Sequence, residues 1–237
     1  MNAEDHAIAC KHRLCRGEVR FIRGMGYVMP RTLPARDETL RAEFAPLSDD
    51  FLCTFVGELS GRKNQAFLLS AAARLRKEGL PLHLLLVGEG GARAELEQTI
   101  RRNGWEDFIH LAGRKEDVLP YLAISDVYVS ASRIEGLPFN LMEAMAAGLP
   151  IVASNVKGQQ DLLAGHPHAL YPLDDEDAFC EAVKEIYRTG RFGVGTVEYP
   201  RITDYSLPSV FEETLAVMRG GWKERVYKDE DSEGETL

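Results

Sequence analysis

Two glutamates eight positions apart, Glu135 and Glu143, stand in the stretch SASRIEGLPFNLMEAMAAGLPIVAS. The pattern reads as a strand end, then a loop holding Glu135, Gly136 and Pro138, then a helix that starts near Phe139 or Asn140. The first turn of such a helix presents free backbone N–H groups and the positive end of the helix dipole, which suits a phosphate. Gly136 leaves the loop backbone open to close approach. Aimed at a diphosphate, the two carboxylates would repel it. Flanking one, they can accept hydrogen bonds from the hydroxyls of a ribose and of a second sugar. Lys63 follows the apolar run FLCTFV by seven residues and opens the next helical pattern. Its ammonium is a compact charge suited to a diphosphate, and Arg62 beside it could substitute.

These residues need a scaffold, and the chain supplies a regular one. From Phe51 onward, short β-like runs alternate with longer helical patterns. FLCTFVG, PLHLLLVG, FIHLAG, DVYVSAS, PIVAS and HALYPL read as strands. NQAFLLSAAARLRKEG, ARAELEQTIRRNG, VLPYLAIS, NLMEAMAAG, GQQDLLAG and EDAFCEAVKEIYRTG carry helical spacing between or after them. Gly79 and Gly104 close two of these helices. The repeated β-α units predict an α/β, Rossmann-like parallel sheet with helices on both faces. Ligands in such sheets lie beyond the C-terminal strand ends, here the loops after Val56, Val87, Leu111, Ser132 and Ser154.

The expected organisation is a segment 1–47 that cannot close a core alone, the α/β domain over 48–195, a linker and helix over 196–226 around PSVFEETLAVMRGGW, and an acidic tail over 227–237. Segment 1–47 offers one helix (EDHAIACKHRL), one strand (EVRFIRG) and the connector GMGYVMPRTLP. Its apolar residues Val19, Phe21, Ile22 and Val28 are expected to form an exposed patch that promotes self-association.

A net charge of −9 argues against a nucleic-acid partner, whose backbone such a surface would repel. The last ten residues hold five acids against one lysine, so the tail carries −4 of that charge and is expected to be disordered. No apolar run approaches the roughly 20 residues of a membrane span. The N-terminus lacks the apolar centre of a secretory signal, so a cytoplasmic location is expected. Cys53 and Cys180 sit inside apolar patterns and are expected as buried thiols. Cys10, His12 and Cys15 have no second pair at ligand spacing, so no metal site is expected. VGEGGAR begins like a dinucleotide fingerprint, but Arg93 stands where its third glycine should be. No phosphate loop ending in Gly-Lys-Ser/Thr is present, and His110, His166 and His168 stand isolated in the sequence, without an assigned role.

The Glu-x7-Glu stretch resembles the signature of the large retaining group 1, or family 4, glycosyltransferases of the GT-B fold. VGELSGRKNQAFLLSAA, LLLVGEGGARAELE and IHLAGRKEDVLPYLAISDVYVSAS resemble that family's other donor-domain segments, in the same order. The likeness covers approximately Asp50 to Gly190, so the chain looks like the C-terminal half of a GT-B fold. It implies that Glu143 hydrogen-bonds a ribose diol and that Glu135 meets the transferred sugar and shares the catalytic role with Lys63. It further implies that the amides around Leu137, Pro138, Phe139 and Asn140 hold the diphosphate, together with Gly136. Gly57, Arg62 and Lys63 would line the phosphate side, and Gly113 and Arg114 would seat the base. The family usually has an arginine directly after Gly57; here that residue is Glu58, which leaves Arg62 or another group to compensate.

The activity implied is metal-free transfer of a glycosyl group from a UDP-sugar or GDP-sugar, with retention, in polysaccharide or glycoconjugate synthesis. The acceptor would be held by an absent N-terminal domain, for which a separate chain is one option, and this chain alone would be inactive. The resemblance also leaves open weak peripheral membrane association of the full enzyme, and association of copies through segment 1–47. A non-catalytic nucleotide-sugar-binding subunit is the alternative, and a sugar-nucleotide epimerase of the same fold is a poorer one. The sequence leaves the base, sugar, acceptor and linkage open.

Overall fold

A computed structural model of the chain describes residues 3–12, 19–190 and 192–219. The expected acidic tail and the end of segment 196–226 lie outside the described residues, as do Cys15 and the start of the EVRFIRG run. Helix α1 (Ala3–Lys11) and the short α2 (Glu38–Ala42) precede the first strand. Then follow β1 (Phe51–Val56), α3 (Gln65–Lys77), β2 (Leu82–Val87), α4 (Arg93–Asn103), β3 (Ile109–Gly113), α5 (Leu119–Ala123) and β4 (Val127–Ser130). The second half holds α6 (Phe139–Ala146), β5 (Ile151–Ser154), α7 (Gln159–Leu162), β6 (Leu170–Tyr171), α8 (Glu176–Thr189) and α9 (Leu207–Met218).

The six strands form one sheet in the order β3-β2-β1-β4-β5-β6. Every pairing is parallel, from Phe51 beside Leu82 to Ser154 beside Tyr171. Alternate side chains of each strand feed two core layers, as the period of two requires. Phe51, Cys53 and Phe55 pack with Leu68, Leu75 and Phe179 on one face. Leu52, Val56 and Tyr128 pack with Leu141, Met142 and Met145 on the other. Helices α3, α4 and α8 cover the first face, and α5, α6 and α7 the second. The Rossmann-like architecture is therefore as expected, and Cys53 and Cys180 are buried in its first layer.

The N-terminal segment departs from the sequence reading. Residues 19–23 are not a strand; the ladder contact of this region is a single bridge between Tyr27 and Ser206. The connector packs instead along the chain leading into α9, with Tyr27 N–H donating to Tyr205 O at 2.7 Å, so its backbone groups are satisfied away from the sheet edges. Val28 is 71% exposed, but Val19, Phe21 and Ile22 are half-buried, and the Phe21 ring meets His6 at 5.7 Å. The expected apolar patch is thus mostly covered.

Around α2 the same segment is anchored to the sheet. Buried Arg41 donates to Ile124 O at 2.7 Å, to Asp50 O at 2.6 Å and to the Asp126 carboxylate at 2.8 Å. The same Asp126 oxygen accepts from Leu52 N–H at 2.8 Å, and Arg36 reaches its other oxygen at 3.3 Å.

Candidate functional site

The strand order reverses direction between β1 and β4, and a crevice opens at such a point beyond the C-terminal strand ends. The loops after these two strands hold most of the singled-out residues. Gly57 follows β1 with φ 147°, and a Cβ there would meet Asn140 Nδ2 and the Phe55 ring at 3.2 Å. The glycines of VGEGGAR serve that same loop. A Cβ on Gly88 would lie 1.8 Å from Gly57 O, and one on Gly90 would lie 2.3 Å from Leu59 O. Backbone bonds Gly57 N–H to Val87 O and Leu59 N–H to Glu89 O, both 2.9 Å, fasten the two loops together. The glycines therefore answer to a close backbone approach.

Lys63 lies in a turn, not at a helix start, with its N–H bonded to Ser60 O at 3.0 Å and α3 beginning two residues later. Its ammonium is buried and meets the Glu135 carboxylate at 2.5 Å; both residues are 6% exposed. Arg62 is half-exposed and donates to Ile134 O at 3.2 Å, Glu135 at 3.4 Å and Glu58 at 3.4 Å. Glu58, which stands where the family's arginine was expected, is thus a partner of Arg62. Two cations converge on Glu135 and fix its orientation.

On the other wall, Pro138 precedes α6 and accepts from Met142 N–H at 3.2 Å. Proline has no N–H, so Pro138 cannot supply the amide expected of it. Leu137, Phe139 and Asn140 can. The Asn140 side chain is committed elsewhere, donating to Val56 O and tying the start of α6 to the end of β1. Gly136 is exposed, with open space where a Cβ would go, and Phe139 is 40% exposed. Glu143 is half-buried, and burial, with Asp117 nearby, pushes its carboxyl up to about 7.

The third wall is the end of β3. Gly113 has φ 75° and Arg114 is exposed, whereas Lys115 sits 5.2 Å over the Tyr121 ring. Of that pair, Arg114 is the more exposed. His110 is not isolated in space. It stacks on His83 at 5.6 Å, but near the N-terminal strand ends, away from the crevice.

Sequence reasoning missed several neighbours. Tyr27 is buried beside Phe139, at 6.4 Å between rings, and burial with Glu143 pushes its hydroxyl up to about 12. Gly24 lies against Leu137, where a Cβ would come within 2.4 Å of the side chain. Tyr128 lies fully buried in β4, and the charges of both Glu135 and Glu143 act on its hydroxyl, which has no partner among the described residues. A cavity of about 550 Å³ opens beside Glu135 and Gly136, with Lys157 on its wall paired to Glu4 and Asp5 of α1. None of these carried a sequence signal, because each depends on segments far apart in the chain.

The Tyr128 hydroxyl invites a direct measurement. A buried unpaired hydroxyl costs about 1–3 kcal/mol, so Tyr128→Phe is expected to stabilise the chain by about 1 kcal/mol. The midpoint of denaturant unfolding checks it; a lower midpoint would show that the hydroxyl is bonded after all.

A family model described as group 1 glycosyl transferases matches residues 50–189, more than half of the chain. The chain belongs to the group 1 glycosyltransferases. EpsD of Bacillus subtilis (strain 168), assigned by name to the glycosyltransferases, is 28% identical over 191 residues, covering 79% of this chain and 50% of its own length. The crystal structure of WaaG, a glycosyltransferase involved in lipopolysaccharide biosynthesis, superposes with a TM-score of 0.75 at 20% identity, covering 93% of this chain and 62% of WaaG. The pneumococcal O-GlcNAc transferase GtfA, in complex with UDP and GlcNAc, superposes with a TM-score of 0.70 at 18% identity, covering 94% of this chain and 45% of GtfA. The chain thus spans about half the length of the first of these relatives. At such identities the structural likeness establishes the GT-B type of fold. Among the described residues, no helix is long and apolar enough to cross a membrane.

Proposed function

We propose that this group 1 glycosyltransferase chain binds the nucleoside-diphosphate-sugar donor of a retaining glycosyl transfer, across the switch point between β1 and β4. The observation that carries this reading is the meeting of buried Lys63 and Glu135 at 2.5 Å, on the loops that flank the first turn of α6. On this reading the base lies against Gly113 and Arg114, and Glu143 accepts from the ribose diol. The diphosphate rests on Lys63 and the amides of Leu137, Phe139 and Asn140, while Glu135 accepts from the transferred sugar. An ammonium has three N–H donors, so Lys63 can keep Glu135 and still serve a phosphate oxygen. Fixed charge and amide dipoles would then stabilise the departing diphosphate, with no call on a metal ion.

UDP is favoured as the first nucleotide to test because it is the one named in the GtfA complex. The acceptor hydroxyl must approach the anomeric carbon to about 3–3.5 Å, and we place the surface that holds it on a partner domain or chain. Transfer by this chain alone is therefore expected to be undetectable, and polysaccharide or glycoconjugate synthesis in the cytoplasm is the setting proposed.

Calorimetric titration with UDP and GDP tests the reading, and failure of both to bind at millimolar concentration would overturn it. Glu143 adds a pH signature. A carboxylate accepts from the ribose diol better than a protonated carboxyl does, and the Glu143 carboxyl titrates at about 7. Uridine affinity is expected to rise with pH through about 7, because uridine itself does not titrate in that range. Glu143→Gln should flatten the profile, and a flat profile in the unsubstituted chain would remove Glu143 from the ribose. In the ligand-free chain the linkage runs the other way. Between the ordinary glutamate value of about 4.3 and the raised value, the folded state binds more protons, so Glu143 makes stability fall as pH rises.

A further inference from the structure

We propose that Arg133 is a positioning residue of this site: its guanidinium, shared between Asn64 and Asp174, locks the loops after β1, β4 and β6 together and so holds Lys63 against Glu135. The inference rests on the donor-binding reading above. Among the described residues, the non-glycine positions with positive φ are Asn64, at 56°, and Asp174, at 61°. They are 110 positions apart, yet Asn64 Nδ2 donates to Asp174 Oδ1 at 3.1 Å. Arg133 closes the triangle, donating from Nη1 to Asp174 Oδ2 at 2.9 Å and from Nη2 to Asn64 Oδ1 at 3.4 Å. Backbone outliers of this kind persist where the surroundings over-determine them, and they cluster at ligand clamps. Glycine would adopt either conformation without strain but would forfeit the side-chain bonds. The two residues therefore have a use for their side chains, and Arg133 shows what it is.

The grip falls on both sides of Lys63. Arg133 N–H donates to Arg62 O at 2.9 Å, and its guanidinium holds Asn64. Lys63 is clasped between these two points, and Glu135 follows two residues after Arg133. The side chains of Arg133 and Asp174 are 48% and 45% exposed, so their ion pair adds little to global stability. Its effect is expected in the placement of Lys63, and hence in diphosphate affinity.

The test uses the 237-residue chain, with UDP and uridine titrated calorimetrically and thermal unfolding followed in parallel. Arg133→Met is expected to weaken UDP about tenfold, the scale of one charge-assisted hydrogen bond lost at Lys63, and to leave uridine and the unfolding midpoint nearly unchanged. Arg133→Lys, which keeps the charge but loses the fork, should recover only part of the affinity. Asp174→Gly removes an anion from beside Arg133 and relieves backbone strain, yet should also weaken UDP. Unchanged UDP affinity in Arg133→Met would overturn the clamp, as would equal loss of UDP and uridine. Tighter UDP binding by Asp174→Gly would show that Arg133 acts as a direct phosphate contact, and would equally overturn it. An unsubstituted chain that binds neither UDP nor uridine overturns the donor reading, and this inference with it, before any substitution is examined.

Discussion

Lys63→Ala is expected to weaken UDP by about 1.5–3 kcal/mol, roughly tenfold to more than a hundredfold, while uridine is spared. On the proposed donor reading, Lys63 lies on the β1 loop beside Glu135, whereas Glu143 and the end of β3 are assigned to the nucleoside. The same substitution has a second consequence. Lys63 and Glu135 form a buried pair, and removing one member leaves the other's charge without full compensation, at a cost of about 3–5 kcal/mol. Arg62 stays within 3.4 Å of Glu135, which should hold the loss near the lower end. Replacing both members, as in Lys63→Met with Glu135→Leu, should restore much of the stability without restoring UDP binding. Denaturant midpoints and calorimetry on the two variants give the two halves of the answer. Equal loss of UDP and uridine on Lys63→Ala would take the lysine away from the diphosphate.

Asp126→Ala is expected to be the most destabilising single change, at about 3–5 kcal/mol. Asp126 has no exposed side-chain surface and takes hydrogen bonds from Arg41 and from the backbone of β1, with Arg36 on its second oxygen. Its removal takes the carboxylate partner from a guanidinium that is 5% exposed, leaving it only the carbonyls of Ile124 and Asp50, and orphans an N–H at the start of the central strand. Asp126→Asn keeps an acceptor oxygen and should recover part of the loss, while failing to neutralise Arg41. Because Arg41 belongs to α2, the expected unfolding of Asp126→Ala also tests whether residues 36–45 are integral to the domain. A loss below about 1 kcal/mol, the worth of an exposed pair, would show that α2 docks only loosely.

The strand and helix periods, with the glycines that end α3 and α4, were enough to read the β-α alternation and which loops follow the C-terminal strand ends. The strand end, loop and helix start that hold Glu135, Gly136 and Glu143 were legible for the same reason: each is defined by neighbours in sequence. The resemblance to group 1 glycosyltransferases rested on the same local stretches.

What the tertiary structure decided is everything that joins distant segments. Strand order places β1 beside β4, and only that crossing brings Lys63 to Glu135 across 72 positions. It also turned VGEGGAR into a cradle for the Gly57 loop, since a Cβ on Gly88 would lie 1.8 Å from the Gly57 carbonyl oxygen. The run after residue 18 had the residues of a strand but pairs with no strand of the sheet, so tertiary packing overrode its propensity. Tyr27 and the Asn64–Arg133–Asp174 triangle were illegible because each is defined by partners from separate loops, and Tyr128 because its burial is set by the layer packed over β4. Periodicity tells a side chain which face it takes; the topology of the sheet tells it whom it meets there.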